Sequence, residues 1–168
     1  ETFLETATVY WDYFQYGDAL RILKAIRHQK QNDSLYAFQV AALLEAQHKS
    51  GEALAEYVKD LHVHSANYQQ AKSRLKTLYA RKDGPQHLRQ ALTLQLARTR
   101  DADQRDGIVL GYAYLMNDLE QWPEAVPLLK QYVARSNWPA FLEDAQELFS
   151  GHEDATGELA VLRRLAIV

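Results

Sequence analysis

The sequence predicts an all-α fold, an α-solenoid of about five antiparallel helix pairs. Three observations carry that expectation. The first is a recurring four-residue group: Gly17-Asp18-Ala19-Leu20, Gly51-Glu52-Ala53-Leu54, Pro85-Gln86-His87-Leu88, Pro123-Glu124-Ala125-Val126 and Gly157-Glu158-Leu159-Ala160. The first residues of these groups are 34, 34, 38 and 34 apart, and a period near 34 is that of a helical hairpin repeated along a chain. The second is helical periodicity between the breakers, with no convincing alternating strand. The third is composition: Ala, Leu, Gln, Glu, Lys and Arg dominate over β-branched residues.

Helices are expected at 2–16, 18–31, 34–49, 52–63, 67–82, 86–99, 104–117, 123–134, 139–149 and 156–166. Each breaker group opens the second helix of a pair. Gly supplies the left-handed residue that ends one helix, Pro fits the first turn of the next, and Asp or Glu there faces the positive helix end. In the 52–63 helix Ala53, Leu54, Tyr57, Val58 and Leu61 form one apolar stripe, and in 123–134 Val126, Leu129, Tyr132 and Val133 do the same. Loops fall at Gln31-Asn32-Asp33, Ser65-Ala66-Asn67, Lys82-Asp83-Gly84 and Arg135-Ser136-Asn137. No stretch rich in Pro, Ser or Gly separates them, so a single array over 1–168 is expected, with units near 1–33, 34–66, 67–102, 103–137 and 138–168.

A chain of 168 residues can bury a real core. With 47% apolar and 24% charged residues it is globular in composition. It has no cysteine, which excludes disulfides, thiolate zinc sites, iron–sulfur clusters and a cysteine nucleophile. No apolar run approaches the ~18–20 residues of a membrane span. The chain opens Glu1-Thr2-Phe3 without Met, basic n-region or cleavage site, so a piece of a longer or processed protein is expected and its compartment stays open.

The fourth unit resembles a tetratricopeptide repeat. Leu110-Gly111-Tyr112-Ala113-Tyr114 is similar to that family's first-helix core, where a small residue lets the paired helix approach closely. Trp122 and Ala125 match the aromatic and small positions of the second helix, and Pro139 the proline that ends a unit. The unit departs by about two extra residues between Asn117 and Gln121. Ala7 and Ala19, and Ala41 and Ala53, repeat the twelve-residue spacing of the family's two small positions; Leu75 and His87 in the third unit do not fit it, and the fifth unit is degenerate.

The resemblance implies a right-handed superhelix with a concave groove lined by the first helix of each pair. Carried onto matched positions, the partner-binding groove is Thr8, Trp11 and Asp12, then Phe38, Ala42 and Glu45, then Lys72, Lys76 and Tyr79, then Arg105, Ile108, Tyr112, Leu115 and Met116. Such a mixture suits an extended peptide or a partner helix. Lys72 and Lys76 are i, i+4, like the basic pair with which some members of the family clamp a chaperone's C-terminal carboxylate; where that clamp has Lys and Asn on its first helix, this chain has Leu4 and Thr8.

The net charge of −3 is unevenly spread: residues 69–105 carry +6 and residues 106–159 carry −8. A basic centre beside an acidic end can steer a polar partner, or simply meet water. His62-Val63-His64 is the one close histidine pair; on a helix its rings would point apart, so no metal is expected there. His152-Glu153-Asp154 has ligand residue types but sits where it would cap the last helix. No carboxylate falls in an apolar stripe that would raise its pKa, and no nucleotide, hydrolase or zinc-protease motif is present. The expectation is a non-catalytic protein–protein interaction scaffold with no cofactor or metal. The alternatives are a self-assembling structural segment, with the uncapped apolar stretch 159–168 as its motive, and an RNA-binding helical repeat resting on the basic centre.

Overall fold

The computed structural model describes residues 2–12 and 15–167, without the side chains of 2–4, 6 and 12. Among the described residues it is all-α. The helices are α1 (Thr2–Asp12), α2 (Tyr16–Lys30), α3 (Ala37–Ala46), α4 (Ser50–Tyr57), α5 (Tyr68–Tyr79), α6 (Gly84–Arg98), α7 (Ala102–Asp118), α8 (Trp122–Val133), α9 (Pro139–Gly151) and α10 (Ala155–Leu165), with a 3-10 turn at Val58–Asp60 after α4. Each expected helix has a counterpart. The end expected for the first, at 16, reaches across residues 13 and 14, which lie outside the described residues.

The turns are made differently from expectation. No described glycine has a positive φ; Gln31, Tyr36, His48, Glu120 and Glu153 occupy the left-handed region instead. Gly17, Gly51 and Gly157 sit inside the first turns of α2, α4 and α10. The 34-residue beat therefore marks helix starts, while the reversals just before them fall to bulkier residues. His48 ends α3 with φ 59 and its amide bonds Glu45 O at 2.9 Å. A left-handed L-residue costs about 1–2 kcal/mol, part of which glycine returns as unfolded-state entropy. His48→Gly is expected to stabilise the chain by about 0.5 kcal/mol, read as a higher urea midpoint at unchanged slope.

By compactness the chain divides into two units, Glu1–Asp60 with Gln69–Gln95, and Leu61–Tyr68 with Leu96–Val168. In the first, α1 packs on α2, α2 on α3, and α3 on α4 and the 3-10 turn. Its core holds Leu23 of α2, Val40, Leu43 and Leu44 of α3, Leu54 and Tyr57 of α4, Leu75 and Leu78 of α5 and Leu88 of α6. The stripe expected on α4 is buried throughout: Ala53, Leu54, Tyr57 and Val58 are all within 1% of full burial.

Among the described residues of this unit, Arg27 is the charged side chain buried with the core. Arg27, at the C-terminal end of α2, donates from Nε to Leu35 O at 2.6 Å and from Nη2 to Glu56 Oε2 at 2.7 Å. Lys59 Nζ reaches the other oxygen of Glu56 at 2.8 Å and the carbonyl of Asp33 at 3.0 Å. The loop between α2 and α3 is thereby fastened to the end of α4 by charge-assisted bonds.

In the second unit α7 packs on α8 and α9, α10 on α8 and α9, and α8 on α9. The middle of α7 is buried on all sides: every residue from Asp106 to Ala113 is buried. Gly107 and Gly111, one turn apart, make room for the segment 61–68. A Cβ at Gly111 would strike the carbonyl oxygen of Leu61, and one at Gly107 the ring of His62. The amide of Val63 bonds Gly107 O at 3.3 Å. The smallness of Gly111 thus serves this crossing strap; its nearest neighbours are Leu61 and Tyr68, not α8, the paired helix of the resemblance.

Candidate functional site

The residues expected to line a groove divide by unit. In the first unit those whose side chains are described keep some exposure. Thr8 is exposed and Trp11 half-buried on α1; Asp12 is on α1, with its side chain outside the described residues. Phe38, Ala42 and Glu45 of α3, and Lys72, Lys76 and Tyr79 of α5, are all half-buried.

Phe38 and Glu45 are held by one side chain beneath them. Tyr57 of α4 is fully buried, stands edge-on to the Phe38 ring at 5.4 Å between centroids, and donates from its hydroxyl to Glu45 Oε2 at 2.7 Å. Burial, then the Glu45 carboxylate, push the tyrosine hydroxyl far above its usual range, with the Arg74 charge opposing. Tyr57 is therefore a permanent donor, and it holds the Glu45 carboxylate in place.

In the second unit the same register falls inside. Ile108, Tyr112, Leu115 and Met116 are 2, 3, 0 and 0% exposed, and Arg105 alone is half-buried. The resemblance placed these residues on the open face of a first helix. The strap 61–68, α8 and α9 together cover it, so these four side chains are core and offer a partner almost no surface.

The histidine pair also differs from expectation. The helix that was to carry it stops at Tyr57 and the 3-10 turn at Asp60, so His62 and His64 lie in the strap. Their rings converge, 5.6 Å apart, and both meet Trp138: His62 stacked at 6.2 Å and His64 tilted at 5.6 Å. No group of three or more His, Asp or Glu placed to hold a metal ion occurs among the described residues. Burial, then the neighbouring His64, lower the His62 pKa from 6.5, against the Asp103 backbone and the Asp101 charge. As pH falls through 6.5 the unfolded chain takes up the proton first, so stability declines until the folded ring titrates as well. His62→Asn is expected to flatten that decline, as followed by thermal midpoints between pH 7 and pH 5.

Asp106 is not singled out by the sequence, and it corrects the expectation that no carboxylate falls in an apolar stripe that would raise its pKa. It is 4% exposed and accepts from Ser136 Oγ at 2.5 Å. Burial raises its pKa, with Asp103 adding and the Ser136 bond, Arg135 and Arg105 opposing. Ser136 Oγ also accepts from the Trp138 amide at 3.1 Å, and Arg164 Nε donates to Ser136 O at 2.6 Å. This network joins the start of α7, the loop before α9 and the end of α10. It is internal bracing between these three segments.

Trp122, on the repeat-like aromatic position, stacks on His152 at 4.3 Å and meets Phe149 edge-on. His152 Nε2 lies 2.6 Å from Asn117 Oδ1. Asp154 caps α10 as expected of that tripeptide, accepting from the Gly157 amide at 3.0 Å and from Lys130.

One concave surface in the first unit was not among the expected residues. A cavity of about 210 Å³ is lined by Ser50, Leu54, Leu78, Arg81, Lys82, Asp83, Gly84 and His87. Leu54 and Leu78 belong to the core, while Arg81, Lys82 and Asp83 are exposed and His87 is half-buried. Arg81 donates to Ser50 Oγ. The +6 segment was the available signal, since it supplies both cations.

No family model, curated protein or solved structure matches this chain.

Proposed function

We propose that this chain is a protein–protein interaction module, a right-handed α-solenoid of the tetratricopeptide kind that takes a peptide segment or partner helix on its first unit. The observation that carries the reading is the row Phe38, Glu45, Lys72, Lys76 and Tyr79, all half-buried on the first helices of two successive pairs. Side chains anchored by packing yet open to solvent are what a binding face needs, because little rotamer entropy is left to lose on binding. The packing of α1 through α4 and of α7 through α10 on their sequence neighbours, with α7 also on α9 and α8 also on α10, supports a stacked array within each unit. The basic α5 and the Glu45 carboxylate of α3, held by Tyr57, give the unit both signs of charge, which favours a partner of defined polarity and register.

The test is selection of peptides on the immobilised chain, followed by affinities for variants. Phe38→Ala and Lys76→Glu are expected to weaken the selected peptides at least tenfold while the melting temperature moves by only a few degrees. Trp11→Ala is expected to act in the same direction. Peptides bound equally well by all three variants would remove this face from consideration.

A second reading, self-assembly, is favoured by the last helix. Leu159 and Leu162 are 48 and 52% exposed and Ile167 is 75% exposed. Concentration-dependent mass in light scattering, abolished by Leu162→Glu, is the outcome that would favour it.

A further inference from the structure

The cavity between the starts of α4 and α6 has a composition that the peptide face does not use. Its floor is Leu54 and Leu78, and its polar lining is Ser50, Arg81, Lys82, Asp83 and His87. One carboxylate thus stands against two permanent cations and an imidazole. The imbalance extends outward: residues 69–95 hold Lys72, Arg74, Lys76, Arg81, Lys82 and Arg89 against Asp83 alone. A concave, low-dielectric floor under a positive rim focuses field on an anion.

The donors also differ in kind. Arg81 brings a planar fork, Lys82 a mobile point charge, Ser50 a hydroxyl and His87 ring nitrogens. The His87 ring lies across the first turn of α4, 3.2 Å from where a Cβ at Gly51 would stand, so the absence of that Cβ lets the ring close one wall. Arg81 is tied to Ser50 across the cavity, which limits the arrangements its fork can take before a ligand arrives.

We propose that this cavity binds a phosphoryl group. Donors of four types around one small cavity suit a tetrahedral dianion with three or four acceptor oxygens better than a planar carboxylate with two. The volume of about 210 Å³ admits the group together with its ester carbon, which would lie on Leu54 and Leu78. The inference stands apart from the peptide face, since it uses none of the residues assigned to that face.

The test titrates the whole chain with inorganic phosphate and, separately, with N-acetyl-O-phosphoserine amide, each against chloride at matched ionic strength. Amide shifts of Ser50, Gly51, Gly84 and His87 are followed by nuclear magnetic resonance. Saturable shifts with either phosphate compound and not with chloride are expected. Tighter binding of the ester assigns the site to phosphorylated ligands, and equal binding assigns it to the free ion; both uphold the phosphoryl site. Arg81→Gln with Lys82→Gln is expected to weaken binding at least tenfold. Arg98→Gln with Arg100→Gln removes the same charge outside the cavity and is expected to leave binding within twofold. Shifts that match chloride, or equal losses in the two double variants, would overturn the proposal.

Discussion

Gly111→Ala is expected to destabilise the chain by about 3 kcal/mol and to lower its melting temperature by roughly 10 °C. The added methyl would meet the carbonyl oxygen of Leu61. A backbone oxygen cannot rotate away as a side chain can, so either the strap lifts or α7 shifts, and α7 has core contacts on its other sides. Lifting the strap also breaks the bond from the Val63 amide to Gly107 O. Hydrogen exchange at Val63 should therefore accelerate more than exchange within α8. Gly17→Ala is the matched control. It has open space around the new Cβ, and alanine is the better helix former, so its effect should be neutral or mildly stabilising. An unchanged melting temperature for Gly111→Ala would mean that the strap does not cross α7 at this glycine.

Arg27→Met is expected to cost about 3 kcal/mol, because removing one member of a buried ion pair strands the others. The Leu35 carbonyl loses its donor and Glu56 keeps only Lys59. The methionine fills much of the volume, so the loss is chiefly polar. Arg21→Met on the same helix is the contrast: its pair with Asp18 is exposed at 78 and 47%, and such pairs contribute less than about 1 kcal/mol. Combining Arg27→Met with Glu56→Leu should recover part of the loss, since no buried carboxylate is then left short of partners. Urea midpoints for the single and double variants decide it. Equal costs for Arg27→Met and Arg21→Met would show that the network contributes no more than a surface pair.

Helix positions were legible in the sequence because they depend on local chemistry. The stripe Ala53, Leu54, Tyr57 and Val58 repeats every turn, and the breaker groups start helices wherever they fall. What depends on neighbours was not legible. Ile108, Tyr112 and Met116 read as a groove because one helix considered alone has an inside and an outside; α7 is covered from several directions at once. Gly107 and Gly111 were the available clue, as a pair of small residues one turn apart announces a close backbone. Arg27 and Asp106 look like ordinary surface charges until the loop carbonyl of Leu35 and the hydroxyl of Ser136 are placed beside them. His62 and His64 were misplaced by a helix end, since Val58 and Leu61 continue the apolar stripe past the point where the α-helix has tightened into a 3-10 turn.

The interleaving of the two compact units sets how this protein can be taken apart. The chain passes from one to the other after Asp60, returns after Tyr68 and leaves again after Gln95. A cut near residue 95 would therefore not release two folding pieces. The C-terminal piece would lack Leu61–Tyr68, and the channel over Gly107 and Gly111 would be left open to water along the buried stretch of α7. During synthesis the order is reversed: the strap emerges some forty residues before the glycines that receive it and must wait unseated. Neither unit is a cassette that recombination or cloning could move on its own, although each is compact.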